Sequence, residues 1–318
     1  MKIIFAETDS LGTDVDLSVF DQLGEVVRYR ESNPDSDTQR LQDADVLIIN
    51  KFPINEATIK HAAQLKLVCI TGTGTNVVDF DYTNRRQITV TNVRGYSTHS
   101  VVQHTFALFF YLYEKLAYYD HFVKSGEYIR SDIFSHFDVK FNELYRKTWG
   151  IIGLGEIGRG VADIAKAFGC DVVYYSTSGK NTNPNYRQVD FDTLLSTCDI
   201  ISIHSPLNRD TMDLIGEEEL RKMKKNAVLL NLGRGPIIKE AALAKALNED
   251  WIGGAGLDVL TVEPMIAENP LFALKDSKKL IITPHIAWAT VEARKRVTEE
   301  VYLNIEAFQN GIERSVVR

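Results

Sequence analysis

Short apolar runs rich in β-branched residues alternate with helical patterns along most of the 318-residue chain. In the N-terminal third the strand-like runs are KIIFAE, EVVRYR, DVLIIN, LKLVCIT and ITVTNV, and helix-like segments begin near Asp16, Thr38 and Glu56. After a long aromatic segment the alternation resumes with TWGIIG, DVVYYS, DIISIH, AVLLNL, GGAGLDV and KLIIT. Strands that are apolar throughout must be covered on both faces, so the pattern predicts parallel sheets built from right-handed βαβ units. The two series differ in loop sequence, which predicts two α/β domains.

The aromatic segment from Ser97 to Tyr119 carries apolar residues on almost every face of a helix. A helix that is apolar all round is buried, either inside the protein or against another subunit. Both destinations remain open, and the second is preferred.

Composition excludes some classes of partner and compartment. The formal net charge of −7 argues against nucleic acid or an anionic membrane as a partner. Cys69, Cys170 and Cys198 have no paired spacing, which indicates reduced thiols rather than disulfides. The N-terminus lacks a signal-peptide pattern, and Glu114 and Lys115 interrupt the longest apolar stretch. We therefore expect a cytoplasmic protein, and we predict no metal site.

A glycine pattern, G-x-G-x-x-G, is formed by Gly153, Gly155 and Gly158 between a predicted strand and a predicted helix. In that context the pattern predicts dinucleotide binding, with the pyrophosphate at the helix N-terminus beside Glu156 and Ile157. Gly153 allows a tight turn, Gly155 lets the backbone approach the pyrophosphate, and Gly158 lets helix and strand pack closely. A glycine turn that binds no ligand is the alternative.

The end of the next strand indicates which dinucleotide is bound. NAD sites place an acid about 20 residues after the glycine loop, to bind the ribose 2′-hydroxyl. This chain has a hydroxyl-rich turn there instead, and no carboxylate follows until Asp190. The turn contains Ser176, Thr177, Ser178 and Lys180. Hydroxyls and a lysine suit a 2′-phosphate, so NADP(H) is favoured while NAD(H) stays open.

Arg234, Glu263 and His285 each follow a different predicted strand. Because ligands of open α/β sheets bind outside the carboxyl ends of the strands, all three belong beside a bound nicotinamide. Each has a structural explanation when taken alone: a helix-terminal arginine, a turn-capping glutamate and a core histidine. His61, His99, His104, His121 and His136 belong to no motif and are expected to be structural or surface residues.

The whole chain resembles the D-isomer-specific 2-hydroxyacid dehydrogenase family. The matching stretches are TGTGTNVVD, STHSVVQHTFAL, WGIIGLGEIGRGVA, HSPLN, NLGRGPIIKEAAL, AGLDVLTVEP and TPHIAWAT. The family's catalytic arginine, glutamate and histidine fall on Arg234, Glu263 and His285. Within the family, GYSTHSVVQHTFAL is most similar to glycerate dehydrogenases, also called hydroxypyruvate reductases.

The resemblance implies an oxidoreductase that transfers a hydride between NAD(P)H and C2 of a 2-oxo acid. Arg234 would bind the carboxylate and carbonyl oxygens through its planar fork of donors. His285 would be the general acid for reduction, with Glu263 on its other ring nitrogen fixing its orientation and favouring the imidazolium.

Further contacts are implied by the same resemblance. Substrate contacts would come from Lys51, Phe52, Thr73, Gly74, Arg234, His285 and Trp288, with the backbone N–H groups of Thr73 and Gly74 on the carboxylate. Cofactor contacts outside the glycine loop and the hydroxyl-rich turn would come from Thr105, His204, Pro206, Leu232 and Asp258. For most of these residues simple packing or turn capping is the alternative.

Family topology implies two Rossmann-like doubly wound domains, one inserted in the other. The dinucleotide-binding domain would span 97–288, and 1–96 with 289–318 would form a flavodoxin-like substrate domain that closes on the substrate. The aromatic helix would form a homodimer surface. Hydroxypyruvate or glyoxylate is the favoured substrate. Bulkier 2-oxo acids, such as phenylpyruvate, and a nucleotide-sensing corepressor-like function remain alternatives.

Overall fold

The computed structural model describes residues 1–180, 182–276 and 278–318. Its contacts divide the chain into two compact units. The first unit consists of Met1–Ser97 and Ala289–Arg318, and the second of Thr98–Trp288.

The strands are numbered in chain order, and all of them except β8 and β13 coincide with the predicted runs. They are β1 (Lys2–Phe5), β2 (Glu25–Arg28), β3 (Val46–Ile49), β4 (Leu67–Ile70), β5 (Thr89–Thr91), β6 (Thr148–Ile152), β7 (Asp171–Tyr175), β8 (Arg187–Gln188), β9 (Ile200–Ile203), β10 (Val228–Asn231), β11 (Gly254–Leu257), β12 (Leu280–Ile282) and β13 (Val316–Val317). The two-residue strands β8 and β13 were not predicted, because so short a run shows no period.

The α-helices described are α1 (Glu56–Ile59), α2 (Phe80–Arg85), α3 (Thr98–Tyr113), α4 (Leu116–Lys124), α5 (Glu156–Ala167), α6 (Phe191–Thr197), α7 (Glu217–Lys222), α8 (Glu240–Asn248) and α9 (Val291–Gln309). Single 3₁₀ turns occupy Thr8–Leu11, Ser18–Gln22, Thr38–Leu41, Tyr128–Arg130, Gly235–Ile237 and Pro270–Ala273. The helix-like segments predicted near Asp16 and Thr38 are therefore only 3₁₀ turns. Across the described ranges, no helix is both long enough and apolar enough to span a membrane.

The first unit contains a six-stranded sheet with the order β13-β5-β4-β3-β1-β2. All neighbouring strands pair in parallel except β13, which runs antiparallel to β5. The central strands β3 and β4 are buried at every position, as their unbroken apolar sequences require.

The second unit contains a seven-stranded parallel sheet with the order β12-β11-β10-β9-β6-β7-β8. The chain leaves β6 toward β7 on one side and later returns through β9 on the other side. The order therefore reverses between β6 and β9, which is where doubly wound sheets bind ligands at their carboxyl ends. The predicted fold class, two Rossmann-like α/β domains, is confirmed.

The aromatic segment forms two helices rather than one. Helix α3 ends at Tyr113, and Lys115 has a φ of +56°, a left-handed conformation that interrupts the helix before α4 begins. Val101, Phe106 and Phe109 of α3 are buried against β6 and α5 within the second unit. The apolar side chains of α3 thus pack mainly in the core of their own unit. Exposed apolar side chains follow instead in residues 116–145, which we call the apolar arm: Leu116, Val123, Tyr128, Ile129, Ile133, Phe134, Phe137, Phe141 and Tyr145.

Candidate active site

The glycine loop lies at the point where the strand order reverses. Gly153 follows β6 with a φ of +93°, and a Cβ there would lie 2.7 Å from the backbone nitrogen of Ser205. Only glycine fits both this left-handed conformation and the close approach of the loop after β9. The loop after β6 and the loop after β9 therefore meet at one place.

The other two glycines occupy different surroundings. A Cβ on Gly158 would clash with the carbonyl oxygen of Gly153, so this glycine allows α5 to pack against the loop. A Cβ on Gly155 would meet nothing within 4 Å. That open space lies beside the unpaired N–H groups of the first turn of α5, Glu156 and Ile157 included, and it suits a pyrophosphate. The side chain of Glu156 contacts the Thr98 hydroxyl at 3.4 Å.

The turn after β7 borders an open cleft. The cleft is lined by Tyr175, Ser176, Thr177, Gly179, Gln188, Val189, Asp190 and Thr193. The Ser176 hydroxyl is buried and has no hydrogen-bond partner among the described residues, whereas Ser178 and Lys180 are exposed. An orphaned hydroxyl at this position suits a ribose or its phosphate.

Asp190 lies in the same cleft, although sequence reasoning placed it too far along the chain to matter. Its carboxylate caps α6, accepting from the Thr193 backbone N–H at 2.8 Å and from the Thr193 hydroxyl at 2.7 Å. These hydrogen bonds lower the pKa of Asp190 below its ordinary value. The cleft is therefore lined by one carboxylate as well as by hydroxyl groups.

His204 follows β9, and its backbone N–H donates to the Ile152 carbonyl at 2.8 Å. Both of its ring nitrogens are buried without a hydrogen-bond partner in the described structure, as is the hydroxyl of Ser205. Burial lowers the pKa of His204 to about 3, so its ring is neutral near neutral pH. Together with the Ser176 hydroxyl and the open space at Gly155, these orphaned polar atoms fit a bound dinucleotide.

Arg234 lies in a tight turn after β10. The buried side chain of Asn231 holds this turn: its Nδ2 donates to the Arg234 carbonyl at 2.9 Å, and its Oδ1 accepts from the Gly233 N–H at 3.0 Å. A Cβ on Gly235 would clash with the backbone of Leu260, so the turn packs directly against the loop after β11. Asn231 was not predicted as a site residue, although it ends an apolar strand.

Glu263 and His285 are in direct contact. Nδ1 of His285 lies 2.7 Å from Oε2 of Glu263, and both side chains are partly exposed. The other carboxylate oxygen of Glu263 accepts from the Leu260 N–H at 2.9 Å. Glu263 thus bridges its own loop and the histidine, and the Nε2 atom of His285 remains for a ligand.

Asp258 is buried at the end of β11 and binds the chain around His285. Its carboxylate accepts from the backbone N–H groups of Ile286 and Ala287, each at 2.9 Å. The resemblance implied a contact of this carboxylate with the nicotinamide carboxamide. In the structure it binds the turn that follows β12, and its contact with the carboxamide stays a prediction.

The remaining cofactor residues differ in accessibility. Thr105 is fully buried, and its hydroxyl donates to the Val101 carbonyl at 2.8 Å within α3. The implied contact of Thr105 with a nicotinamide stays a prediction. Leu232 is nearly buried at the end of β10, whereas Pro206 is exposed after β9. Trp288 is half-buried against the core that contains α3.

In the first unit, Phe52 and Lys51, which were predicted to contact the substrate, lie in the turn after β3. Phe52 is only 1% exposed and packs in the core with Ile4, Leu47 and Ile49. The reason is that Glu7 binds the turn after β3: its Oε2 accepts the backbone N–H groups of Asn50, Lys51 and Phe52 at 2.9, 2.9 and 2.8 Å. Lys51 remains exposed.

Thr73 and Gly74 follow β4 in an irregular turn. The Thr73 hydroxyl donates to the Val93 carbonyl at 2.7 Å, and the Asn92 side chain donates to the Thr73 carbonyl at 2.7 Å. Among the hydrogen bonds of the described residues, none uses the backbone N–H of Thr73 or Gly74 as a donor. These two N–H groups are therefore available to an anion.

The chain is similar to a protein family and to individual proteins that have been named. Residues 106–287 match the family model described as D-isomer specific 2-hydroxyacid dehydrogenase, NAD binding domain. The chain is 37% identical over 317 residues to the glycerate dehydrogenase of Methylorubrum extorquens, covering 99% of this chain and 98% of the relative. It is 36% identical over 324 residues to the hydroxypyruvate reductase of Blautia hydrogenotrophica, covering 100% and 99% respectively.

A solved structure agrees over the full length of the chain. The acyclic imino acid reductase Bsp5, in complex with NADPH and D-Arg, matches with a TM-score of 0.86 and 30% identity, and 100% of each chain is covered.

Proposed function

The chain belongs to the D-isomer specific 2-hydroxyacid dehydrogenase family, and on that premise we propose that it reduces small 2-oxo acids, hydroxypyruvate and glyoxylate first, to D-2-hydroxy acids. Family membership makes it an NAD(P)-dependent oxidoreductase. The choice of substrate rests on its similarity to a glycerate dehydrogenase and a hydroxypyruvate reductase along nearly the whole chain.

One observation carries the proposed chemistry, the 2.7 Å contact between His285 Nδ1 and Glu263 Oε2. A carboxylate on Nδ1 orients the ring and directs the Nε2 proton toward a ligand. The cofactor, when bound, would supply the hydride to C2. His285 then donates its Nε2 proton to the substrate oxygen, and in the reverse direction it accepts that proton.

Arg234 binds the substrate's carboxylate and carbonyl oxygens in this proposal. A guanidinium presents donors in one plane, which matches two neighbouring oxygens better than a lysine does. The Asn231 hydrogen bonds and the close packing at Gly235 support the role, because they hold the Arg234 turn against the loop that carries Glu263. The backbone N–H groups of Thr73 and Gly74 are further candidates for the carboxylate.

The test measures initial rates of NADPH and NADH oxidation with a panel of 2-oxo acids, and it includes Arg234→Gln and His285→Gln. We expect each substitution to lower kcat/KM by about a hundredfold or more, since each removes a group that acts in the transition state. Cofactor affinity, followed by the fluorescence of bound NADPH, should stay within about twofold. Unchanged turnover in either variant would refute that residue's role.

We propose further that NADPH is preferred to NADH. The unpaired Ser176 hydroxyl and the exposed Ser178 and Lys180 supply donors suited to a 2′-phosphate. Asp190 opposes this preference through charge, but both of its oxygens are bound to Thr193.

We also propose that the protein is a cytoplasmic homodimer that binds neither nucleic acid nor membranes. The apolar arm supports the dimer, because it exposes a run of large apolar side chains, with Phe134 90% and Ile129 87% exposed. The net charge of −7 supports the absence of nucleic-acid binding. The second unit is proposed to bind the dinucleotide and the first to bind the substrate's carboxylate.

A further inference from the structure

Asp258 makes a dense set of hydrogen bonds to the chain around His285. Its Oδ1 accepts from the Ile286 N–H at 2.9 Å and from the Thr283 hydroxyl at 2.7 Å, and its Oδ2 accepts from the Ala287 N–H at 2.9 Å. Its backbone carbonyl accepts from the His285 N–H at 2.8 Å. Asp258 is only 2% exposed. It thus binds Thr283, which lies two residues before His285, and the two residues that follow His285.

This binding matters because of the backbone conformation of His285. Its φ is +54°, in the left-handed region that non-glycine residues seldom adopt. Such a conformation persists only where surrounding contacts hold it. Asp258 bonds the backbone of His285 itself and of the next two residues, so these hydrogen bonds hold the backbone on both sides of the imidazole.

His104 of α3 contacts the same network from the opposite side. Its Nε2 lies 2.9 Å from the Thr283 hydroxyl and 3.6 Å from Asp258 Oδ1. The single Thr283 hydroxyl proton goes to Asp258, so the hydroxyl can only accept from His104, and Nε2 must carry the ring proton. Burial lowers the pKa of His104, opposed by the charge of Asp258. A neutral ring protonated on Nε2 therefore donates to Thr283, which donates to Asp258.

We propose that Asp258 and His104 are positioning residues, which hold His285 in its left-handed conformation, with His104 acting through the Thr283 hydroxyl. The inference rests on the proposed catalytic role of His285. It gives Asp258 a task in the protein itself, whether or not this carboxylate also contacts the cofactor. It also gives a function to a histidine that the sequence presented as merely structural.

The test compares three substitutions of His104. In glutamine the amide nitrogen is separated from Cα by the same number of bonds as Nε2 of histidine, so His104→Gln retains the donor to Thr283. In asparagine the amide is one bond shorter and falls short of Thr283, while leucine has no donor. The same substitutions at His61, which is exposed in the first unit, control for the loss of a histidine.

Two readouts are measured in each variant. We expect His104→Asn and His104→Leu to lower kcat about tenfold, with KM for the cofactor within about twofold, and His104→Gln to stay near wild type. Hydrogen–deuterium exchange of the peptide containing residues 284–288 should be faster in the Asn and Leu variants than in wild type and the Gln variant. If His104→Leu does not fold, His104→Asn carries the comparison.

The exchange measurement needs no substrate, so it separates this inference from the proposed function. A wild-type protein without activity on any 2-oxo acid refutes the proposed function, while the exchange rates still decide whether His104 holds the loop. Wild-type kcat and exchange in His104→Asn or His104→Leu overturn the inference. Equal losses in the Gln and Asn variants also overturn it, because they show that the donor position is irrelevant.

Discussion

We expect the burial of His204 to add one pH-dependent contribution to the stability of this protein. His204 has its pKa lowered from the ordinary 6.5 to about 3, because its ring is buried without partners. The unfolded chain therefore binds a proton at this residue below about pH 6.5, whereas the folded chain does not. The contribution of the neutral ring to stability is complete above that pH and is lost progressively as the pH falls toward 3.

We expect His204→Gln to remove this pH dependence. Between about pH 7 and pH 5 the wild-type protein should lose about 2 kcal/mol more free energy of unfolding than the variant. Urea denaturation at both pH values, without cofactor, measures the difference, and His121→Gln at an exposed position is the control. Equal losses in wild type and His204→Gln would contradict the buried neutral histidine.

A second prediction at the residue scale concerns Lys180, an exposed cation in the turn after β7. If it binds the 2′-phosphate, Lys180→Ala should raise KM for NADPH about tenfold and leave KM for NADH within about twofold, since NADH lacks that phosphate. Steady-state kinetics with both cofactors test this, with the exposed Lys60→Ala as control. Equal effects on both cofactors would argue against phosphate binding by Lys180.

At the scale of elements, two glycines at the start of α5 have different roles. Gly155 borders open space for a ligand, whereas Gly158 allows the helix to pack closely. Gly155→Ala puts its methyl group into open space, and the backbone φ of −76° accepts alanine. We expect an unchanged Tm and a cofactor Kd raised about tenfold or more, because the methyl group occupies the proposed pyrophosphate position.

Gly158→Ala should behave differently, because its methyl group meets the Gly153 carbonyl oxygen. Overpacking of this kind typically costs about 1–3 kcal/mol, so the Tm should fall together with cofactor affinity. Calorimetry and NADPH titration of both variants provide the comparison, each serving as the other's control. A lowered Tm in Gly155→Ala with normal cofactor affinity would contradict this division of roles.

At the scale of the whole molecule, the apolar arm predicts self-association. In size-exclusion chromatography with light-scattering detection, the wild-type protein should have about twice the 35.9 kDa mass of the chain. Phe134→Ser combined with Phe137→Ser should shift it toward the monomer, since both side chains are exposed within the arm. Phe272→Ser, an exposed phenylalanine outside the arm, is the control. A monomeric wild-type protein would refute the proposed dimer.

The sequence by itself predicted every described strand except β8 and β13, and the loops that carry the candidate site residues. Runs such as DVLIIN and AVLLNL are apolar at successive positions, and that local signal is sufficient for buried parallel strands. Gly153, Arg234, Glu263 and His285 were located at strand ends for the same reason, and the carboxyl ends of parallel strands share one edge. These features depend on near neighbours in the chain.

Only the tertiary structure decided which side chains from different loops meet, and how they meet. Glu7 fills the turn at Lys51 and so keeps Phe52 in the core, and Asp190 joins the cleft at Ser176. Likewise, Asp258 binds the chain at His285. Each contact joins segments that the strand orders of the two sheets bring together. Local periodicity records which face of an element is buried but not which element covers it, so these contacts could not be read from the sequence.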